Sequence, residues 1–148
     1  MKILDEISSD DLNQYFKARI NIHNAHNLLR NQLLEVLKPV GLSNTQFNVL
    51  MILRNIHPKT ASVNYIKDQM LYKNSDVSRL IDRLHTKKYL IRKEGKFDRR
   101  QKEIQITNIG LDVFSKINNH EEILNAKINH LTIEEVKLLN GLLDKIKM

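Results

Sequence analysis

Apolar residues keep a helical period over most of the chain and depart from it in one place. From Ser8 or Ser9 to about Lys38, Tyr15, Ile22, Leu29 and Val36 repeat every seven positions, and Phe16, Ile20, Leu33, Leu34 and Leu37 cover an adjoining face. This predicts one long amphipathic helix, opened by a staple of Ile7 on Leu12 with Asp10 and Asp11 at its positive end, and stopped by Pro39 and Gly41. So long an apolar surface exceeds what one domain covers by itself, and a partner helix from a second subunit is expected. Leu42, Ser43, Gln46 and Phe47 spell a capping box with a staple, and His57 and Pro58 end the helix it opens. Val63, Ile66 and Met70 mark a short helix from Ser62 or Val63 to about Leu71. Val77, Leu80, Ile81 and Leu84 give another over Ser75 to Lys88 an apolar stripe opposite a polar, mostly basic face. The period then drops to two. Leu90 and Ile91 open an extended run, and Ile104 and Ile106 alternate with Glu103, Gln105 and Thr107. Gly95 lies in the charged loop between them, so this is a β-hairpin. Ile106, Thr107 and Leu111 repeat the helix-start signal, and the helix they open carries Leu111, Phe114, Ile117, Ile123, Leu124 and Ile128 with no proline or glycine before Leu131. Leu131, Thr132, Glu135 and Val136 open the last helix, whose stripe is Val136, Leu139, Leu142, Leu143 and Ile146.

Helix, turn, helix and basic hairpin in that order predict a mainly α fold, a winged helix-turn-helix with a two-stranded β wing and long terminal helices. With no linker or repeat, residues 1–148 read as a single domain. Within it, 1–40 and 108–148 are expected to be dimerisation helices and 42–107 the winged lobe, whose second helix would enter a major groove.

Charge sharpens this. Of the formal +7, an excess of six falls between Lys73 and Glu103, where eleven basic residues meet five acidic ones. Localised positive charge on a recognisable element points to a polyanion, since each phosphate neutralised releases counterions. The bland alternative is a solvated stretch. The absence of cysteine removes disulfides and thiolate metal sites. The acidic start has no apolar h-region and no run reaches a membrane span, so a cytoplasmic protein without membrane contact is expected. No phosphate loop, nucleophile with a base, or metal-ligand spacing is present, so neither an enzyme nor a cofactor is expected. RNA binding is disfavoured because the basic stretch offers only Tyr89 and Phe97 for stacking.

Three motifs then carry a resemblance. GLSNTQFNVLMIL, SDVSRLIDRLHTKKYLIR and DRRQKEIQITNIG resemble, in turn, the second-helix start, the recognition helix with first wing strand, and the wing tip, second strand and next helix start of the MarR (multiple antibiotic resistance regulator) family of bacterial winged-helix transcription factors. The resemblance spans roughly Leu12 to Ile146. Tyr89 departs from it, standing where many members have glycine. The resemblance implies a homodimer that binds a pseudo-palindromic duplex operator, with recognition helices in major grooves and wings in the flanking minor grooves. The expected function is a sequence-specific transcriptional regulator, a repressor relieved by a small-molecule effector. The rival reading is a winged-helix protein-interaction module or antagonist that has given up DNA, against which the chain keeps Arg79, Arg83, Arg99 and Arg100.

On this reading the DNA-binding residues are Asn74, Ser75, Ser78, Arg79, Arg83, Lys87, Lys96, Arg99, Arg100 and Lys102. Arg79 is assigned the main base contact, because a guanidinium bonds guanine O6 and N7 bidentately. Ser75 and Ser78 are assigned phosphate or water-mediated contacts. Asp76 is an acid at a helix N-terminus or a cytosine contact. By resemblance Arg100 enters the minor groove, and Asp98 structures the wing by holding Arg100 or reaching back to Arg83. Phe97 is a wing anchor or an exposed loop residue. Tyr15, His23, His26, Phe47 and Met51 are candidates for the effector cleft, although aromatic residues and methionines at this spacing also make ordinary core. His23 with His26, and His120 with Glu121 and Glu122, are weak metal candidates set against surface histidines.

Overall fold

Capping chemistry decides where several helices begin, and it does so as the sequence predicts. In a computed structural model of the chain, residues 9–117 and 120–147 are described. The elements run α1 (Ser9–Leu37), a 3₁₀ turn (Lys38–Val40), α2 (Asn44–Ile56), β1 (Ala61–Ser62), α3 (Val63–Gln69), α4 (Val77–Thr86), β2 (Leu90–Glu94), β3 (Lys102–Ile106), α5 (Asn108–Lys116), α6 (His120–Asn125) and α7 (Ile133–Ile146). Ser43 Oγ accepts from the Gln46 N–H at 3.1 Å while Gln46 Oε1 accepts from the Ser43 N–H at 3.0 Å, closing the box at α2. Thr132 and Glu135 close the same box at α7, and Thr107 caps α5 through the Gly110 N–H. Ile7 of the proposed first staple lies outside the described residues.

The chain divides into two compact units. The unit formed by Leu34–Glu122 holds a continuous apolar core: Leu37, Leu42, Phe47, Leu50 and Leu53, Ile66, Val77, Leu80, Ile81 and Leu84, Leu90, Ile104 and Ile106, and Val113 and Phe114. Phe47 and Phe114 pack at 5.4 Å between ring centroids, and the Arg54 guanidinium lies 4.5 Å from the Phe114 ring centre. Asn48 Oδ1 accepts from the Leu71 N–H at 2.8 Å, so α2 holds the turn that leads from α3 to α4. The other unit comprises the described residues of Met1–Leu33 and Ile123–Met148. There the Gln32 side-chain amide donates to the Ile123 carbonyl, and many apolar side chains stay exposed, among them Tyr15, Phe16, Leu138, Leu142 and Ile146.

The sheet is antiparallel in the order β1-β3-β2, with Leu90 opposite Ile106 and Glu94 opposite Lys102. Ile104 and Ile106 are buried and their neighbours are not, as the alternation predicts. Four details differ from the sequence expectation. The wing hairpin gains a third, two-residue strand, Ala61 pairing with Ile104. The fourth helix starts at Val77 and not at Ser75, because Asp76 takes the N-cap. The long helix expected after Thr107 stops at Lys116, with Ile117 at non-helical φ −97°, ψ 55°, where Ile117, Asn118 and Asn119 are a run of weak helix formers. Finally α5 contributes Val113 and Phe114 to the core of the Leu34–Glu122 unit, a role in the lobe that the expectation for residues 108–148 did not include.

Candidate nucleic-acid interface

The recognition element is held from both ends. At its start Asp76 Oδ1 accepts from the Arg79 N–H at 3.1 Å, so this acid serves the helix N-terminus and fixes the backbone of the first turn. At its end the Tyr89 N–H donates to the Leu84 carbonyl at 3.0 Å and the Lys88 N–H to the His85 carbonyl at 2.9 Å, a Schellman closure with Lys88 in the left-handed region at φ +62°. The conformation that favours glycine therefore falls on Lys88, and Tyr89 follows it with ordinary geometry. The Tyr89 carbonyl accepts from the Thr107 N–H at 3.0 Å, and a Cβ on Gly110 would approach that oxygen to 2.1 Å, so only glycine lets α5 start against this junction.

With Val77, Leu80, Ile81 and Leu84 buried, the opposite face of α4 presents Ser78, Arg79 and Arg83 to solvent. Asn74 is exposed and Ser75 half-buried on the turn before the helix, where the Ser75 N–H bonds the Tyr72 carbonyl at 3.1 Å. Lys87 is exposed near the other end, its Nζ 3.5 Å from the Gly41 carbonyl.

The wing is bound to this helix by a pair the sequence reading missed: the Arg92 guanidinium on β2 donates to the Asp82 carboxylate on α4. Strand alternation carries the signal, since Arg92 shares the side of β2 on which Leu90 is buried against α4. Asp82 and Arg92 also line an open cleft of about 250 Å³ with Val63, Ser78, Ile81, Lys102 and Ile104.

At the tip, Asp98 Oδ1 accepts from the Arg100 N–H at 2.9 Å, the Asp98 carbonyl accepts from the Gln101 N–H at 3.1 Å, and the Gly95 N–H bonds the Gln101 carbonyl at 2.9 Å. Asp98 thus orders the loop through the backbone of Arg100, and its side chain is bonded there and not to Arg83. Lys96, Arg99, Arg100 and Lys102 are all exposed. Arg99 meets Glu94 only at 3.9 Å with both side chains largely in water, a contact too loose to hold it. The ten basic and polar candidates thus fall on two adjoining elements of one unit, four before or on the helix face, Arg83 and Lys87 further along it, and four on the wing.

The effector candidates are placed differently. Tyr15, His23 and His26 are exposed on α1 in the unit of the terminal helices. Phe47 is core, stacked on Phe114, and Met51 is half-buried on α2, both in the Leu34–Glu122 unit. The side chains of His120 and Glu121 lie outside the described residues, and among the described residues no three His, Asp or Glu side chains are grouped as a metal site. Among the same residues no helix is long and apolar enough to cross a membrane.

A helix-turn-helix whose second helix shows a cationic polar face, braced to a basic antiparallel hairpin, defines a winged helix-turn-helix transcription regulator. Comparison with known proteins narrows the class. Residues 40–101 match the MarR family. The chain is 31% identical over 107 residues to the HTH-type transcriptional regulator MhqR of Bacillus subtilis (strain 168), a match covering 72% of each protein. It superposes on mutant MarR from E. coli complexed with operator DNA at a TM-score of 0.77 and 24% identity, covering 93% of this chain and 99% of that one. It superposes on Bordetella bronchiseptica BpsR, a protein whose DNA binding is regulated by 6-hydroxynicotinic acid, at 0.74 and 21% identity, covering 85% and 89%. The chain belongs to the MarR family.

Proposed function

We propose that the chain works as a homodimer that reads a pseudo-palindromic operator and represses transcription from it, with a small-molecule effector relieving repression. The observation that carries this reading is the exposed cationic face of α4 fixed beside the wing: Asp76 sets its first turn, and the Asp82–Arg92 pair joins it to β2. Asn74, Ser75, Ser78 and Arg79 serve base edges and nearby phosphates, and Arg83, Lys87, Lys96, Arg99 and Lys102 serve the backbone. Arg100 enters the minor groove, while Asp98 keeps the tip in one pose. The exposed apolar stripes of α1 and α7 support a second copy as the partner. The superposition on MarR bound to operator DNA supports duplex DNA as the ligand, and the regulation of BpsR by 6-hydroxynicotinic acid supports an effector. The exposed Tyr15, His23 and His26 stay candidates for its site. A cytoplasmic location follows from this role.

Selection of bound sequences from random duplexes tests the reading. The expected product is a palindrome with two half-sites about one helical turn apart. Enrichment of no duplex would contradict it and favour the protein-interaction alternative, and enrichment of a single asymmetric half-site would contradict the two-half-site dimer.

A further inference from the structure

We propose that Phe97 is an apolar wedge that enters the minor groove at the wing tip and selects a deformable base step there; this rests on the DNA-reading function just described. Phe97 is 103% exposed, the fullest exposure of any large apolar side chain described, and it is the only aromatic residue between Leu90 and Val113. The loop that carries it is closed upon itself. Gly95 bonds Gln101 at 2.9 Å, Gln101 bonds Asp98 at 3.1 Å and Arg100 bonds the Asp98 carboxylate at 2.9 Å. A Cβ on Gly95 would come within 2.6 Å of the Asp98 carbonyl oxygen, so the strands converge tightly below the apex. The buried side chains Leu90 and Ile106 pair at the far end of the ladder from Glu94 and Lys102. At full exposure Phe97 packs on no apolar surface of its own lobe, and it stands on a hydrogen-bonded apex.

Its surroundings choose the partner. Lys96, Arg99 and Arg100 lie within three positions of Phe97 and are exposed, and Asp98, the next residue, is engaged with the backbone of the turn. An exposed phenyl ring on a loop rich in cations fits a polyanion that also offers apolar faces. In duplex DNA those faces are exposed by parting two stacked base pairs, which apolar side chains do from the minor-groove side. The Asp82–Arg92 brace ties the hairpin to the helix that occupies the neighbouring major groove, so the ring arrives at a fixed distance from the bases read by Arg79. Pyrimidine–purine steps part most easily, so the wedge acts as a selector for TA or CA/TG at that distance, a preference expressed without a hydrogen bond to any base.

Duplex selection with wild-type protein and with Phe97→Ala separates this from the general DNA-binding reading. Wild type should enrich a pyrimidine–purine step at a constant offset outside each half-site. Phe97→Ala should enrich the same half-sites without that step and bind the wild-type duplex roughly ten- to hundredfold more weakly. Its salt dependence should be unchanged in slope, because no phosphate contact is lost. Phe97→Leu should keep the step. 2-Aminopurine placed in the step should brighten with wild type and not with Phe97→Ala. Identical flanks and affinity for wild type and Phe97→Ala would overturn the wedge while leaving the DNA-binding reading intact. So would Phe97→Ala weakening attachment to anionic phospholipid vesicles but not to the duplex, which would make the ring a membrane contact. Failure of wild type to enrich any duplex would overturn both readings together.

Discussion

Leu53 of α2 and Leu142 of α7 both sit on the apolar stripe of an amphipathic helix, yet Leu53 is fully buried and Leu142 is half exposed. The contrast extends to the units that contain them. In the Leu34–Glu122 unit four helices and a sheet close over one core, so the parts proposed to read DNA stand on a base complete within one chain. In the unit of the terminal helices, α7 has no buried residue and the described residues of α1 up to Leu33 are exposed or half-buried. Sequence patterns of equal quality thus have different completions: one within the chain, the other, on the proposed reading, in a second copy.

The largest effects should come from attacking the two completions separately. Leu53→Ala should destabilise the lobe by about 2–5 kcal/mol, by lost burial plus the cavity left behind, in denaturant titrations. Leu142→Glu should leave the lobe's own stability nearly unchanged while converting the protein to a monomer by light scattering at micromolar concentration. If Leu142→Glu keeps a dimer mass, the apolar stripe of α7 is not the covered surface. Next in size, Arg79→Ala should weaken operator binding by about 1–3 kcal/mol and relax one base position per half-site, whereas Lys102→Ala should weaken binding to all duplexes alike and lower the salt slope by about one. A gel-shift titration of the Arg79→Ala, Arg100→Ala double variant that matched wild type would remove the assigned reading surface. The smallest effect is at the junction: Lys88→Gly should stabilise the lobe by up to about 1 kcal/mol, since the left-handed position at φ +62° suits glycine, and its thermal melt would show it.

Local signals were legible in the sequence, and contacts between distant residues were not. The boxes at Ser43–Gln46 and Thr132–Glu135, the stripe Val77–Leu80–Ile81–Leu84 and the alternation at Ile104 and Ile106 are set by neighbours within one or two turns. Strand β1 has two residues, too few to show a period, and exists because β3 offers it an edge. The Asp82–Arg92 pair needs the turn at Lys88 to bring α4 and β2 together, and no local signal marked Lys88 as the left-handed residue. For the proposed interface, charge along the chain pointed to residues that the fold leaves exposed on α4 and the wing. Asp76 at the helix start and Asp98 holding Arg100 were each one of two options open in the sequence, and the fold selects them, through the Arg79 N–H and the Arg100 N–H.

On the proposed function two copies of this chain read one duplex. Sedimentation of wild-type protein with a duplex obtained by selection, at a concentration above the dissociation constant, measures it directly. Two chains per duplex and a free protein already dimeric are expected. One chain per duplex, bound by a monomer, would contradict it.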